Sequence, residues 1–306
     1  MTRVLITGAT GYIGSQMVRR LIGSGGYEVS VLVRPNSDLA TLGASLPNII
    51  VHASDGSVES LTAVLEEARP EVVVHLASLF LSQHRPQDVL PLIQSNVQFG
   101  VCLLEAMLQS GVRRFVNTGT AWETMDGPPE YRPVCLYAAT KRAFEDILRY
   151  YEDAHGFSAL TLKLYDTYGP DDPRPKLFSL LCRSLTEAEP LPFSPGEQTL
   201  DLTHIEDVTD AYERAIRYVL VKDRALPEEV HIGSGQDLPL RDVVATFEEA
   251  LGQRTNIAWG ERPYRPREVM KAQADPSAAE RVLGWKPAIG LREGIQRTFV
   301  SEGEEP

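Results

Sequence analysis

The chain opens with VLITGATGYIG, and no other stretch narrows its possible folds as sharply. A short apolar run meets Gly8 at once, and Gly11 and Gly14 follow at three-residue steps into a helix-like segment. Glycine permits the tight turn and lets backbone N–H groups close on a pyrophosphate, whose charge the helix N-terminus favours. Strand, turn and helix in that order predict a dinucleotide site at the start of a doubly wound sheet. The spacing is GxxGxxG rather than GxGxxG, which leans towards one class of dinucleotide enzyme.

The rest of the first half keeps the same rhythm. Short apolar runs, VSVLV, NIIVH, EVVVHLA, RFVNTG and LTLKLY, alternate with helical segments such as QMVRRLI, SLTAVLEEA and NVQFGVCLLEAMLQ. Runs this apolar, without clean alternation, suit strands buried on both faces, and parallel neighbours need helical crossovers. The expected fold is α/β, a Rossmann-type doubly wound parallel sheet. After Tyr165 the rhythm breaks into the proline-rich stretches DTYGPDDPRPK and EPLPFSPGEQ, then short helices and loops. These predict a smaller, interleaved C-terminal substrate lobe. Residues 1–166 with about 200–234 fall to the dinucleotide domain and about 167–199 with 235–306 to the lobe, SEGEEP being a frayed acidic tail.

Composition excludes several partners. With 42 acidic against 30 basic residues the net charge is −12, so nucleic acid is not expected. Cys102, Cys135 and Cys182 are widely spaced, form no metal pattern and read as free thiols in a reducing cytoplasm. The first apolar run is too short for a signal sequence and no stretch reads as a bilayer span, so a soluble cytoplasmic protein with no membrane partner is expected.

Two positions refine the cofactor and the chemistry. The second strand of an NAD site ends on an acidic residue that takes the ribose hydroxyls, whereas a nearby arginine accommodates the 2′-phosphate of NADP. VSVLVRPNSD has Val33 at that point, followed by Arg34, with Ser37 to help hold the phosphate. NADP(H) is the expected cofactor. Asp55, after the third strand, is either a contact to the adenine edge or a turn cap. In YAATKRAFE, Tyr137 and Lys141 share a helix face, where the ammonium would lower the phenol from its usual pKa of ~10. By itself the pair is either a proton donor or an ordinary amphipathic surface.

Eight ordered landmarks decide between those readings. GATGYIG, VVVHLAS, SNVQFGVCLLEAM, RFVNTGT, YAATK, DTYGP, DLTHIEDV and LGWKP span almost the whole chain. In that order they resemble the extended short-chain dehydrogenase/reductase family of nucleotide-sugar epimerases, dehydratases and ketoreductases. The resemblance makes Tyr137 the catalytic acid/base and Lys141 its partner and a ligand of the nicotinamide ribose. Thr120 matches the catalytic hydroxyl, Thr118 lies beside it, and Asn96 matches an asparagine embedded in the helix after HLAS, to meet the cofactor or only to bond neighbouring backbone. Further cofactor contacts are implied at Thr10, Tyr12, Ile13, Gly56, Leu76, Ala77, Ser78, Leu164 and Thr167, and substrate contacts at Leu79, Phe80 and Asp166. Lys176, the backbone near Leu177, and Arg265 would supply charge to the substrate diphosphate, Phe193 would enclose its base, and His84 would be a second acid. A nucleotide diphosphate sugar is the implied substrate and a homodimer the implied assembly.

The implied reaction is narrower. Dehydratases of this type carry an Asp-Glu pair after the catalytic threonine, and Ala121 and Trp122 stand there instead. The middle of the chain is most similar to the branch of CDP-abequose synthases and related 4-ketoreductases. The expectation is NADPH-dependent reduction of a dTDP- or CDP-linked 4-keto-6-deoxyhexose, with a 4-epimerase holding NAD tightly and a non-catalytic NADP-binding regulator as alternatives. Two departures from the family stand out: Asp166 replaces a common asparagine, and Leu200 precedes Asp201 where an arginine commonly contacts the pyrophosphate. Asp201, His204 and Asp207 are spaced as metal ligands can be, yet Asp207 matches a helix-start residue, and no metal is expected.

Overall fold

The computed structural model of the chain describes residues 1–125, 130–222 and 229–300, which leaves the SEGEEP tail outside the described residues. Six strands of the first half, β1 (Thr2–Thr7), β2 (Tyr27–Val33), β3 (Ile50–Ala53), β4 (Val72–His75), β5 (Arg114–Thr120) and β6 (Ser158–Leu164), lie in the order 3-2-1-4-5-6. Val230–Ile232 adds a seventh beside β6, and all pairings are parallel, as Val4 opposite Val29 and Val72 illustrates. Val72, Val73 and Val74 are fully buried because helices cover both faces. Each such side chain contributes roughly 1.5–3 kcal/mol by leaving water.

As far as Val221 the α-helices are α1 (Tyr12–Ser24), α2 (Val58–Ala68), α3 (Val89–Ile93), α4 (Phe99–Gln109), α5 (Leu136–His155), α6 (Leu177–Ser184) and α7 (Ile205–Val221). A π-helical turn, Gln94–Gln98, joins α3 to α4. The continuous helix Pro86–Gln109 is, by length and composition, apolar enough to cross a bilayer, which the sequence was not expected to contain. Its apolarity has another use here: Leu103, Leu104, Ala106 and Met107 are fully buried in the core that also holds Leu61 of α2 and Phe144 of α5.

The smaller lobe has its own core of Phe178, Leu181, Phe247 and Ile295, framed by three two-stranded pairings. Asp166–Tyr168 pairs with Leu202–His204, Leu191–Phe193 with Ile257–Trp259, and Thr199–Leu200 with Leu238–Pro239. Ser277–Leu283 and the fully buried Trp285 depart from the expected division, because they pack on α7 in the sheet half. Asp201 is buried and accepts hydrogen bonds from the amides of Ser234, Gly235 and Ala274 and from the Ser234 hydroxyl. Asp207 accepts from the amides of Ala288 and Ile289. Both aspartates of DLTHIED are thus structural staples.

Candidate active site

Between β1 and β4 the winding of the sheet reverses, and open α/β sheets bind ligands in the crevice at such a point. Gly8, just past β1, has φ +72°, and a Cβ on it would lie 2.5 Å from the Ala77 nitrogen beyond β4. A Cβ on Gly14 would collide with the Gly8 carbonyl oxygen. These two glycines let backbone pack on backbone. Gly11 does something else: exposed, with its amide donating to Gly8 O at 3.0 Å, it begins α1 without a side-chain cap or an acidic residue in the first turn. The first N–H groups of a helix lack intrahelical acceptors, so this end suits an anion, and the residues fit a dinucleotide pyrophosphate.

From this loop a cavity of about 230 Å³ runs along the carboxyl ends of the central strands. It gathers Gly8, Gly11, Tyr12, Ile13 and Gly14 from the glycine loop, Leu76 and Ser78 from beyond β4, and Thr118 and Thr120 from β5. Tyr137 and Lys141 enter from α5, and Leu164, Asp166 and Thr167 from β6 and the segment after it. The Tyr137 hydroxyl is hydrogen-bonded with Ser78 and Thr120, but burial outweighs both and holds its pKa above the ordinary value. The lowering expected from Lys141 does not prevail, because desolvation of a phenolate in this crevice is the larger effect. Lys141 is 2% exposed, and burial pulls it down to about 8 against the opposing charges of Glu145 and Glu123.

The two threonines divide. Thr118 donates to the His75 carbonyl at 2.8 Å and shares a 2.7 Å hydrogen bond with the Tyr212 hydroxyl, so it serves the scaffold. His75 is neutral, pulled to about 3 by burial and then by Lys141, and its Nδ1 bonds Thr7 Oγ1 at 2.8 Å. Thr120 is the one that meets Tyr137.

Of the two roles open to Asn96, cofactor contact and bonding to neighbouring backbone, the hydrogen bonds show the second. Asn96 sits in the π-helical turn, where Oδ1 accepts from Leu79 N (2.7 Å) and Ser78 Oγ (3.2 Å) and Nδ2 donates to Leu79 O and Thr140 Oγ1, both at 3.0 Å. All four positions of the amide are filled. Asn96 therefore ties the Ser78 loop to α5, and Leu79 is its partner rather than a lining residue. Asp55 is a turn cap, its Oδ1 accepting from Ser57 N (2.9 Å) and Ser57 Oγ (2.7 Å), with Gly56 following at φ +88°. Ala77 N donates to Thr7 Oγ1 at 3.2 Å and Thr10 O accepts from Thr41 Oγ1 at 3.0 Å. His84 is exposed and lines neither this cavity nor the next, which removes the expected second acid.

At the end of β2, Arg34 is exposed and its guanidinium makes no ion pair among the described residues. Ser37 Oγ accepts from Arg34 N at 3.1 Å, shaping the loop that presents it.

A larger cleft of about 760 Å³ adjoins the first, sharing Phe80, Trp122, Asp166, Thr167, Arg174 and Lys176 with it. Phe80 meets Tyr137 edge to face at 5.0 Å and Trp122 at 5.4 Å. Lys176 pairs with Asp166 at 3.4 Å, and Leu177, Phe193 and Arg265 also line the cleft. Phe193 is only 4% exposed and packs on Trp259, so it is as much lobe core as lining. Sequence reasoning missed Trp122, Arg174, Arg262 and Arg267. Arg174 stacks on the Tyr12 ring at 4.5 Å while bound to Asp172 and the Thr167 carbonyl. That contact spans more than 160 residues of chain, and no local signal announces it.

A crevice of this form, with a glycine loop at one end and a Tyr-Lys helix at the other, defines an extended short-chain dehydrogenase/reductase. The family model for the NAD dependent epimerase/dehydratase family matches residues 4–233, and the chain belongs to that family. It is 29% identical over 324 residues to a UDP-glucose 4-epimerase of Mycolicibacterium smegmatis, covering 97% of each chain. Over 270 residues it is 27% identical to a CDP-abequose synthase of Yersinia pseudotuberculosis, covering 88% of this chain and 90% of that one. The solved structure of MoeE5 in complex with UDP-glucuronic acid and NAD is similar with a TM-score of 0.80 at 30% identity, covering 96% and 97% of the two chains.

Proposed function

We propose that the protein is an NADPH-dependent 4-ketoreductase of a nucleotide-linked 4-keto-6-deoxyhexose. Arg34 carries this reading: a guanidinium with no ion pair among the described residues follows Val33, which stands where an NAD site has a carboxylate. Similarity to CDP-abequose synthases supports it. So does the apolar wall of Phe80, Trp122 and Val134, which suits a sugar without a C6 hydroxyl. The bound dinucleotide supplies hydride from its nicotinamide ring. Thr120 orients the keto oxygen, Tyr137 gives it the proton that completes the alcohol, and the Lys141 ammonium holds the nicotinamide ribose and favours the phenolate left behind. Three thiols without a disulfide suit a cytoplasmic enzyme, and exposed Leu90, Ile93 and Tyr150 on Pro86–Gln109 and α5 suit pairing of two copies there.

A second reading has its own support. Full-length similarity to UDP-glucose 4-epimerases, and NAD in the MoeE5 complex, favour a 4-epimerase that recycles its cofactor in place. Mixing the protein with NADPH and a dTDP- or CDP-4-keto-6-deoxyhexose separates the readings. Steady loss of NADPH absorbance is the outcome of reduction, and isomerised sugar without net oxidation that of epimerisation. Binding without turnover leaves a regulator.

A further inference from the structure

Three buried ionisable side chains lie directly behind the site, and the proposed chemistry uses none of them. Lys163, 2% exposed, places Nζ 2.5 Å from Glu123 Oε2 and 2.8 Å from Glu145 Oε2. Each member sits one step behind a lining residue. Lys163 precedes Leu164 on β6, Glu145 lies one turn past Lys141 on α5, and Glu123 follows Trp122 after β5. Contact with the site is close: a Cβ on Gly119, between the two threonines, would stand 2.6 Å from Glu145 Oε1. At the rim, Glu229 is 3.6 Å from Lys163, and Arg142 lies 3.2 Å from Glu229 and 3.7 Å from Glu123. The carboxylates of Glu123, Glu145 and Glu229 are close enough together to hold a metal ion, but the Lys163 ammonium already stands among them.

One carboxylate would neutralise Lys163, and two are buried with it. The second needs a reason, because an excess buried charge is costly. We propose that Glu123 is a positioning residue, pinning the Thr120–Trp122 turn to β6 and α5 through Lys163 and supplying negative charge that keeps Lys141 protonated. This rests on the role given to Lys141 above.

The electrostatics agree with the geometry. Burial and then Glu145 lift Glu123 to about 7, with Lys163 opposing. Burial lowers Lys163, yet Glu145 and Glu123 together outweigh it and hold that ammonium above its ordinary value. The charged groups facing Glu123 are Lys163 from β6, Glu145 and Arg142 from α5, and Glu229 beside the seventh strand, with Tyr131 nearby in its own loop. Burial lowers Lys141, and Glu145 and then Glu123 oppose it, so negative charge on Glu123 favours the Lys141 ammonium.

Glu123→Gln keeps a hydrogen-bond acceptor for Lys163 and removes the charge. The protein has six lysines, and in ¹³C-lysine-labelled material the Lys141 resonance is assigned by its loss in Lys141→Met. The expected result is a Lys141 titration midpoint lower by about half a pH unit in Glu123→Gln. The alkaline limb of kcat/KM, where protonated Lys141 is lost, moves down with it. Glu123→Asp retains the charge on a shorter arm, so its midpoint stays near wild type while kcat falls. An unchanged midpoint in Glu123→Gln, or equal shifts in both variants, overturns the proposal. The NMR titration uses no sugar, so it reads the Lys141 midpoint whichever substrate the enzyme takes.

Discussion

In the cofactor half of the cleft, Gly8, Ser78, Thr120 and Leu164 come from the ends or flanks of four strands of one sheet. In the substrate half, Lys176, Phe193, Leu200 and Arg265 come from loops and from strands of two or three residues. The first half is specified by backbone packing, with glycines where backbones touch. The second is specified by side chains that converge from distant segments. Its charged lining comes from several residues, Lys176, Arg262, Arg265 and Arg267, so single losses there are shared.

The largest effect should follow from Tyr137→Phe. Turnover falls about 10²–10⁴-fold while dinucleotide affinity is kept, measured by steady-state rates beside fluorescence titration. Normal turnover would take the proton donor away from α5. Gly14→Ala should cost about 3 kcal/mol in thermal or denaturant unfolding, because its Cβ meets only backbone, the Gly8 carbonyl and the Ala9 Cα. A stable Gly14→Ala protein would break the contrast between the halves at its root. Arg34→Ala should weaken NADPH by about 10- to 100-fold and leave NADH nearly unchanged. If the wild type already prefers NADH, the cofactor assignment fails and the epimerase reading moves ahead. The smallest effect belongs to the substrate half: Arg265→Ala should raise KM about 5-fold with kcat unchanged, since Arg262 and Arg267 line the same cleft. A fall in kcat as large as that of Tyr137→Phe would show that this half does more than bind.

What could be read in advance follows the same division. The six strands, the glycine loop and the Tyr137–Lys141 pair are local patterns, visible as runs, spacings and a shared helix face. Asn96 was visible as a residue but not as a clamp, because a π-helical turn leaves no mark in hydrophobic periodicity. Asp55 and His84 had plausible sequence positions, yet one is consumed by a turn and the other lines neither cavity. In the sequence Trp122 marked only the lack of a dehydratase acid pair, and Glu123 carried no signal of its own. Only the partners brought by β6 and α5 make one a lining residue and the other a buried charge. The converging arginines of the lobe were out of reach for the same reason.

The late return of the chain to the large sheet bears on how this protein is made. Tyr212, Ala215, Ile216 and Val219 of α7 are fully buried in the same core as Ile6, Val74 and Val116, and Val230–Ile232 covers the outer side of β6. A nascent chain that has emerged from the ribosome only as far as Tyr165 already holds the whole glycine loop and the Tyr-Lys helix. It still exposes the apolar face on which α7 must dock. The cofactor crevice therefore cannot mature as an early, self-sufficient unit during translation. It waits for about 65 further residues, during which the uncovered face of the half-built sheet is a natural target for a chaperone.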